Sequence, residues 1–423
     1  MAPQPKFGVR DSAPNKPLRP GTVSAGFPEW LNSRSPERCP PLVKGPEKYI
    51  IGTLIRLHVV FIAFRLLLNP FKTLRVLDAL AHLRRQYFGG HQVKKLFKID
   101  RRYYWDMHAP GWPSAAFVKY NEGEINRVSP FRKKTDYLNS MIFAITKKCP
   151  LRCEHCYEWE AINEKEKLSL NNLKMIVRKF QERGRGVAQI QLSGGEPLMR
   201  YKDIIEILKS ATPGTDFWIV TSGYPLSLDK ALRLKEAGLV GVCISLDHFI
   251  PAKHNAFRGF KHSFEWVVKA VGYAHEAKLA VILSLCATKE FVSEENLLNY
   301  ARLAQKLGAA FVLIIEPRAV GRYAGKYVTL SQGQKQVLEN FFLKMNYSPQ
   351  YKDMPAVSYH GYHQRRVGCF GGGSRYIYVD TDGDMHFCPF CRHKFGNVLN
   401  GSIDDTVKAM EGSGCHSFEL AKL

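Results

Sequence analysis

The chain of 423 residues is 45% hydrophobic and 23% charged, which excludes a disordered or collagen-like polypeptide and allows two or three domains or one large barrel with additions. Ten cysteines are too sparse for a disulfide-stapled miniprotein, and residues 1–20 carry no apolar run of a secretory signal, so clustered thiols point to metal or catalysis in a reducing cytoplasm. The net charge of +23 is uneven, with 26 Lys and Arg against 10 Asp and Glu in residues 1–148 and 35 against 28 in the rest, which implies an anionic partner, a membrane surface or a nucleic acid.

Residues 1–46 are rich in Pro, Ser, Gly and Arg and read as a flexible arm. Residues 47–95 read as a basic amphipathic helical region. Its first part, 49–68, is the most hydrophobic stretch and is long enough to span a bilayer. Arg56, His58 and Arg65 argue against a span, because a central Arg costs about 2.5–3.5 kcal/mol on insertion. Asn69-Pro70 restarts a second helix, with Asn as N-cap and Pro at its first position. Phe71, Leu74, Leu77, Leu80, Ala81 and Leu83 share one side of it, interleaved with Lys72, Arg75, Arg84 and Arg85. Two such helices suit a peripheral anchor on an anionic membrane surface, here the inner face of the cytoplasmic membrane. The alternative is two helices packed on the catalytic domain with solvated Arg. Residues 96–137 read as a small β cap, with no zinc finger, RNA-binding signature or recognition helix. A nucleic-acid partner is therefore not expected despite the charge.

From 138 to 328 apolar strands alternate with amphipathic helices. Strands are expected near 140–146, 188–193, 217–221, 239–246, 280–286 and 310–316. Helices are expected near 169–183, 201–210, 227–237, 262–277 and 292–307, with one more at 330–345. Six βα units make an α/β fold, a partial (β/α)6 TIM-like barrel with its site at the C-terminal strand ends. Residues 329–423 read as a small α+β, Gly- and Cys-rich extension.

Cys149, Cys153 and Cys156 lie at C-x3-C-x2-C spacing directly after the first barrel strand. Three thiolates on one short loop can hold three irons of a cubane cluster and leave the fourth open. A zinc knuckle with a distant fourth ligand is the competing reading. Ser193-Gly194-Gly195-Glu196-Pro197 ends the second strand, where glycines allow close backbone approach to a ligand and a carboxylate can accept from an ammonium group. Thr221-Ser222-Gly223 and Ser245-Leu246-Asp247 end the third and fourth strands. His254 to Gly259, Glu316 and Gly321-Arg322 follow.

This order of motifs resembles the radical S-adenosylmethionine (SAM) superfamily over residues 138–320. The resemblance implies a [4Fe-4S] cluster on Cys149, Cys153 and Cys156 with SAM bound at the open iron. It places His155 near the adenine and Gly194, Gly195, Glu196 and Pro197 at the SAM amino group. It adds Ser222, Ser245, Asp247 and Arg258 to the cofactor site, Arg258 toward the SAM carboxylate or ribose. For Asp247 and Arg258 a structural ion pair at the barrel rim is the alternative. The implied chemistry is one-electron cleavage of SAM to a 5′-deoxyadenosyl radical that removes hydrogen from a substrate, with a flavodoxin- or ferredoxin-type electron donor.

Cys369, Gly383 and Cys388 form a C-x13-G-x4-C hairpin that resembles the SPASM/twitch extension of that superfamily. It implies one auxiliary [4Fe-4S] cluster on Cys369, Cys388, Cys391 and Cys415, with His386 or His393 able to replace Cys415 and zinc as the competing metal. Cys243 and Cys286 in apolar strands read as buried small hydrophobes, and Cys39 as inert. The basic helices favour a membrane lipid or isoprenoid as substrate. A peptide- or protein-modifying maturase is the alternative, and a non-catalytic cluster scaffold is a third.

Overall fold

The computed structural model describes residues 41–89, 91, 95–131, 138–369, 371, 373 and 375–411. Cys39, Cys415 and all but the end of the expected arm lie outside them.

Parallel βα repeats dominate. Strands β1 (Phe97–Ile99) and β2 (Arg102–Tyr104) form a small antiparallel hairpin. The barrel strands are β3 (Ser140–Ala144), β4 (Gln189–Ser193), β5 (Asp216–Thr221), β6 (Leu239–Ser245), β7 (Ala280–Cys286) and β8 (Phe311–Ile315). All six pair in parallel in chain order, as the run of apolar, β-branched segments predicts. The sheet then exceeds expectation at both edges. Strand β9 (Ala356–Tyr359) adds in parallel to β8. Strand β10 (Tyr376–Val379), from the cysteine-rich extension, adds in parallel to β3. Strands β11 (Asp384–His386) and β12 (Gly396–Asn397) continue antiparallel beyond β10. Residues 329–423 therefore supply both edges of the barrel sheet, and the sheet crosses the expected boundary at 328/329.

Helices α1 (Gly45–Leu67), α2 (Pro70–Phe88) and α3 (Ala115–Val128) precede the barrel. The third corrects the reading of 96–137 as a small β cap: beyond the hairpin, Ser114 accepts the Phe117 N–H and starts a helix. Asn69 caps α2 as its sequence predicts, its side chain accepting the Lys72 N–H. Around the barrel come α4 (Leu170–Glu182), α5 (Tyr201–Ser210), α6 (Leu228–Glu236), α7 (Pro251–Arg258), α8 (Ser263–Glu276), α9 (Glu294–Lys306), α10 (Gln332–Tyr347), α11 (His360–Val367) and α12 (Ile403–Glu411).

The hairpin plugs the bottom of the barrel. Trp218, Cys243, Ile282, Phe311 and Ala356 face inward from five successive strands and form one buried cluster with Phe97, Tyr104 and Met107. Arg102 pairs with Asp216 at the start of β5 at 2.8 Å, and Lys95 donates to the Met354 and Pro355 carbonyls just before β9. With the N-terminal mouth filled, the ends of the strands at the opposite mouth are left for chemistry.

Helix α1 departs from the amphipathic expectation. It is apolar nearly all round, and among the described residues it is the one helix long and apolar enough to cross a membrane. One stripe is committed to the protein. Ile62 and Ala63 are buried with Val76, Phe117 and Ile125. His58 accepts the Trp112 indole N–H at 2.9 Å, and Arg65 pairs with Glu122 at 2.6 Å. Two of the three polar residues that argue against a span thus bind the protein body.

Phe97→Ala empties the barrel plug of a fully buried ring and is expected to cost about 3–5 kcal/mol of stability. Urea unfolding followed by circular dichroism measures it. Lys98→Ala, on the same strand but exposed, should change stability by less than about 0.5 kcal/mol.

Candidate active site

The loop after β3 carries Cys149, Cys153 and Cys156, and it has almost no regular structure of its own. Its backbone groups are satisfied by the end of β4, the end of α7, the turn at Gly321 and a side chain of the loop itself. Gly195 and Glu196 donate their N–H groups to the Thr146 and Lys148 carbonyls, each at 2.8 Å. Arg152 and Glu154 donate to the carbonyls of Arg258 and Phe257 at 3.1 and 3.0 Å, and Arg322 donates to the Cys156 carbonyl at 3.0 Å. Asn163 closes the loop on itself, accepting the Cys149 N–H at 2.9 Å and donating to its carbonyl at 3.0 Å.

Glycines make these approaches possible. Gly194 has φ +137°, and a Cβ there would press on the Thr146 backbone. Gly321 has φ +54°, and a Cβ there would overlap the Cys156 carbonyl. The Gly194-Gly195 pair therefore brings backbone against backbone, where the sequence reading assigns it to close approach of a ligand.

Cys153 is buried, while Cys149 and Cys156 are half-buried. Burial pushes the Cys149 and Cys156 thiols up to about 12, so without a metal these groups carry their protons. Assembly of a thiolate-bound metal centre must release them. His155 lies flat on Phe257, centroids 4.8 Å apart at 17°. Its Nδ1 is buried with no hydrogen-bond partner, and burial lowers its pKa to about 4. The orphaned nitrogen of this neutral imidazole, next in sequence to Cys156, leaves one hydrogen bond open to a bound group.

Glu196 is fully buried, and its carboxylate is saturated from within. Oε1 accepts from Thr221 Oγ1 (2.7 Å) and the Leu198 N–H (3.1 Å), and Oε2 from the Ser222 N–H (2.8 Å) and Oγ (2.6 Å). Burial raises its pKa, against the lowering effect of Ser222 and Thr221. Glu196 and Ser222 are thus brought together but turned on each other. Pro197 is buried and opens the short 3-10 turn Pro197–Arg200. Ser245 faces Ser284, Oγ to Oγ at 3.4 Å.

Asp247 and Arg258 form a buried pair at 2.6 Å. Burial opposes the charge on both, yet Asp247 stays below its usual range because Arg258, His155, His254 and the Cys286 N–H together outweigh the burial, and Arg258 is raised by Asp247 and Cys153. Glu316, at the end of β8, is held by Tyr359 and Arg365, each at 2.7 Å.

In the extension Cys388 and Cys391 lie Sγ to Sγ at 3.5 Å. The Gly371 N–H points at Cys369 Sγ at 3.4 Å, and Gly371 rests on the Phe387 carbonyl next to Cys388. His386 spends both ring nitrogens, on the His393 carbonyl and on Asp380, which removes it as a substitute ligand. The two cysteine regions touch through side chains that the sequence does not single out. Tyr157 meets Tyr378 and Phe390 edge-on, and Glu158 accepts from Tyr378 (2.6 Å) and Arg392 (3.2 Å). His108 and His360 were also missed. Their Nε2 atoms lie 2.7 Å apart beside Ser358 of β9, and only the folding of the 105–113 segment into the barrel joins them. Cys243 and Cys286 are buried, as their apolar strands require.

No three His, Cys, Asp or Glu side chains converge on one point among the described residues. That geometry belongs to a single bound ion. A cubane spreads its thiolates over separate irons, so three thiols spaced along one loop suit it better.

Residues 143–313 match the Radical SAM superfamily. An AdoMet-dependent heme synthase of Nitratidesulfovibrio vulgaris is 25% identical over 294 residues, covering 63% of this chain and 78% of that protein. A GTP 3′,8-cyclase of Haemophilus influenzae is 28% identical over 294 residues, covering 64% and 82%. Among solved structures, Streptococcus suis SuiB bound to its precursor peptide SuiA superposes with a TM-score of 0.55 at 14% identity, covering 69% of this chain and 70% of that one. The enzyme anSMEcpe with bound AdoMet gives 0.52 at 17% identity, covering 66% and 84%.

Gly321→Ala is expected to displace the Cys156 backbone and cut cluster uptake severalfold. Iron and acid-labile sulfide per chain after anaerobic reconstitution measure this, with Gly325→Ala, whose Cβ meets no atom within 4 Å, as the comparison.

Proposed function

We propose that this chain, a radical SAM enzyme, holds its catalytic cluster on Cys149, Cys153 and Cys156 and works on an apolar substrate at a membrane surface. With cluster and SAM bound, the site supplies the one-electron cleavage that yields a 5′-deoxyadenosyl radical for hydrogen abstraction. The residues around it bind, orient and exclude water. The strand-end clamps fix the cysteine loop, and His155, stacked on Phe257, offers a flat neutral ring for an adenine. Gly194 and Gly195 keep the loop and the end of β4 in backbone contact. Cys369, Cys388 and Cys391, with Cys415, are assigned to an auxiliary cluster, and a flavodoxin- or ferredoxin-type protein to electron supply. Anaerobic reconstitution with dithionite and SAM tests the chemistry. The protein should form 5′-deoxyadenosine and methionine, and Cys149→Ala, Cys153→Ala and Cys156→Ala should each abolish both. An iron-replete protein that makes neither would overturn the assignment.

The apolar face of α1 and α2 carries the substrate reading. Leu57, Phe61 and Phe71 are 59%, 59% and 77% exposed, and Tyr49, Leu68 and Leu74 are exposed as well. Lys72 and Arg75 flank it, each over the Phe131 ring. A soluble surface does not leave so many large apolar side chains side by side, and flanking cations suit anionic headgroups. Because the opposite stripe of α1 is committed to α2 and α3, the helix lies along the surface of the protein, an in-plane anchor instead of a span.

Each such side chain placed in a bilayer interface contributes about 1.5–3 kcal/mol, and about 1.4 kcal/mol is a factor of ten. Leu57→Asp with Phe61→Asp should therefore weaken co-sedimentation with phosphatidylglycerol-containing vesicles at least about tenfold. SAM cleavage in solution should be unchanged. The hairpin from Cys369 to Cys388 supports a second reading, a peptide-modifying enzyme. Vesicle binding unaffected by the double substitution, with lipid extracts identical in cells with and without the gene, would favour it.

A further inference from the structure

We infer that Arg258 sets the reduction potential of the cluster through the Cys153 sulfur, with Asp247 as the residue that fixes it in place. This rests on the assignment of Cys149, Cys153 and Cys156 as cluster ligands and goes beyond it to how that centre is tuned.

Arg258 is the last residue of α7, and Gly259 follows it in the left-handed region at φ +66°. The carbonyls of Phe257 and Arg258 receive the Glu154 and Arg152 N–H groups, so the helix end is stitched to the cysteine loop on both sides of Cys153. The guanidinium is then aimed by its partners. Nε donates to Asp247 Oδ2 at 2.6 Å, and Nη1 stands 3.6 Å from Cys153 Sγ. Asp247 cannot turn away. Its Oδ1 accepts the Cys286 N–H at 3.0 Å, and its own N–H donates to His254 Nδ1 at 3.1 Å.

A rim ion pair alone does not explain this arrangement. A buried pair gains little over an apolar pair of the same volume, and a rim pair would have no need to direct a guanidinium nitrogen at a sulfur. Hydrogen bonds to ligand sulfurs and nearby charge are the means by which proteins set cluster potentials. Reduction adds negative charge to the centre. The buried guanidinium stabilises that charge and raises the potential, and Asp247 partly offsets it. The signs for substitution follow. Arg258→Gln removes the cation and leaves Asp247 unpaired, which lowers the potential. Asp247→Asn keeps the cation and removes the anion, which raises it. A residue that only held the fold would move both variants the same way.

The test is an EPR-monitored redox titration of the reconstituted full chain without SAM. At the wild-type midpoint, Arg258→Gln should show at least a tenfold lower ratio of reduced to oxidised cluster, a shift of ~59 mV for one electron. Asp247→Asn should shift the other way, and Arg258→Lys should lie between wild type and Gln. Leaving SAM out separates this role from a contact with the SAM carboxylate. An iron-replete Arg258→Gln at the wild-type midpoint overturns the inference, even if it binds SAM more weakly. If the Gln variant takes up no cluster, wild-type midpoints in both Arg258→Lys and Asp247→Asn overturn it equally. A wild-type chain that takes up no cluster would instead overturn the assignment beneath it.

Discussion

The constraint on which the site depends is backbone hydrogen bonding to a loop that has no ladder of its own. Cys149, Cys153 and Cys156 lie outside any helix or strand, so the main-chain groups around them have no regular ladder to pair with. The loop from Thr146 to Asn163 therefore borrows its partners: the end of β4, the end of α7, the turn at Gly321 and the Asn163 side chain. The first three of these bring two main chains closer than a Cβ tolerates, and Gly194, Gly195, Gly259 and Gly321 stand at those points. The rigidity of the cysteine loop is here supplied by the barrel.

Charge is handled by the same economy of partners. Glu196, Asp247 and Glu158 are all buried, and each is matched by donors fixed on a different strand end. Glu196 locks the ends of β4 and β5 together. Asp247 ties β6 to β7 and to α7. Glu158 joins the first cysteine loop to the extension through Tyr378 and Arg392. These carboxylates hold together a rim that has no regular structure across it. Gly321→Ala and the Arg258 series probe different parts of that rim, the first its spacing and the second its charge.

The helices before the barrel face two ways. Ile62, Ala63, His58 and Arg65 face the protein, while Leu57, Phe61 and Phe71 are exposed. A helix that is apolar all round has no periodicity to announce this division, so its inner face is set by α2, α3 and Trp112. Two of the polar residues that argue against a bilayer span, His58 and Arg65, are anchors to the body.

The sequence by itself determined the repeating βα order, the six barrel strands, the Asn69 cap and the cysteine spacing, because these are local: periodicity, capping and short loops need no distant partner. It also carried the chemistry, since three thiols within eight residues, Cys149 to Cys156, remain neighbours in any fold. The tertiary structure alone decided that β9 and β10 extend the sheet, that Ser114 starts a helix where a cap strand was expected, and that Glu196 and Ser222 satisfy each other. It alone placed His108 beside His360 and Arg258 beside Cys153. Those pairings span from 26 to 252 residues. No local pattern encodes such pairings, because they arise only when separate strands end at the same mouth of the barrel or a distant loop is drawn inside it.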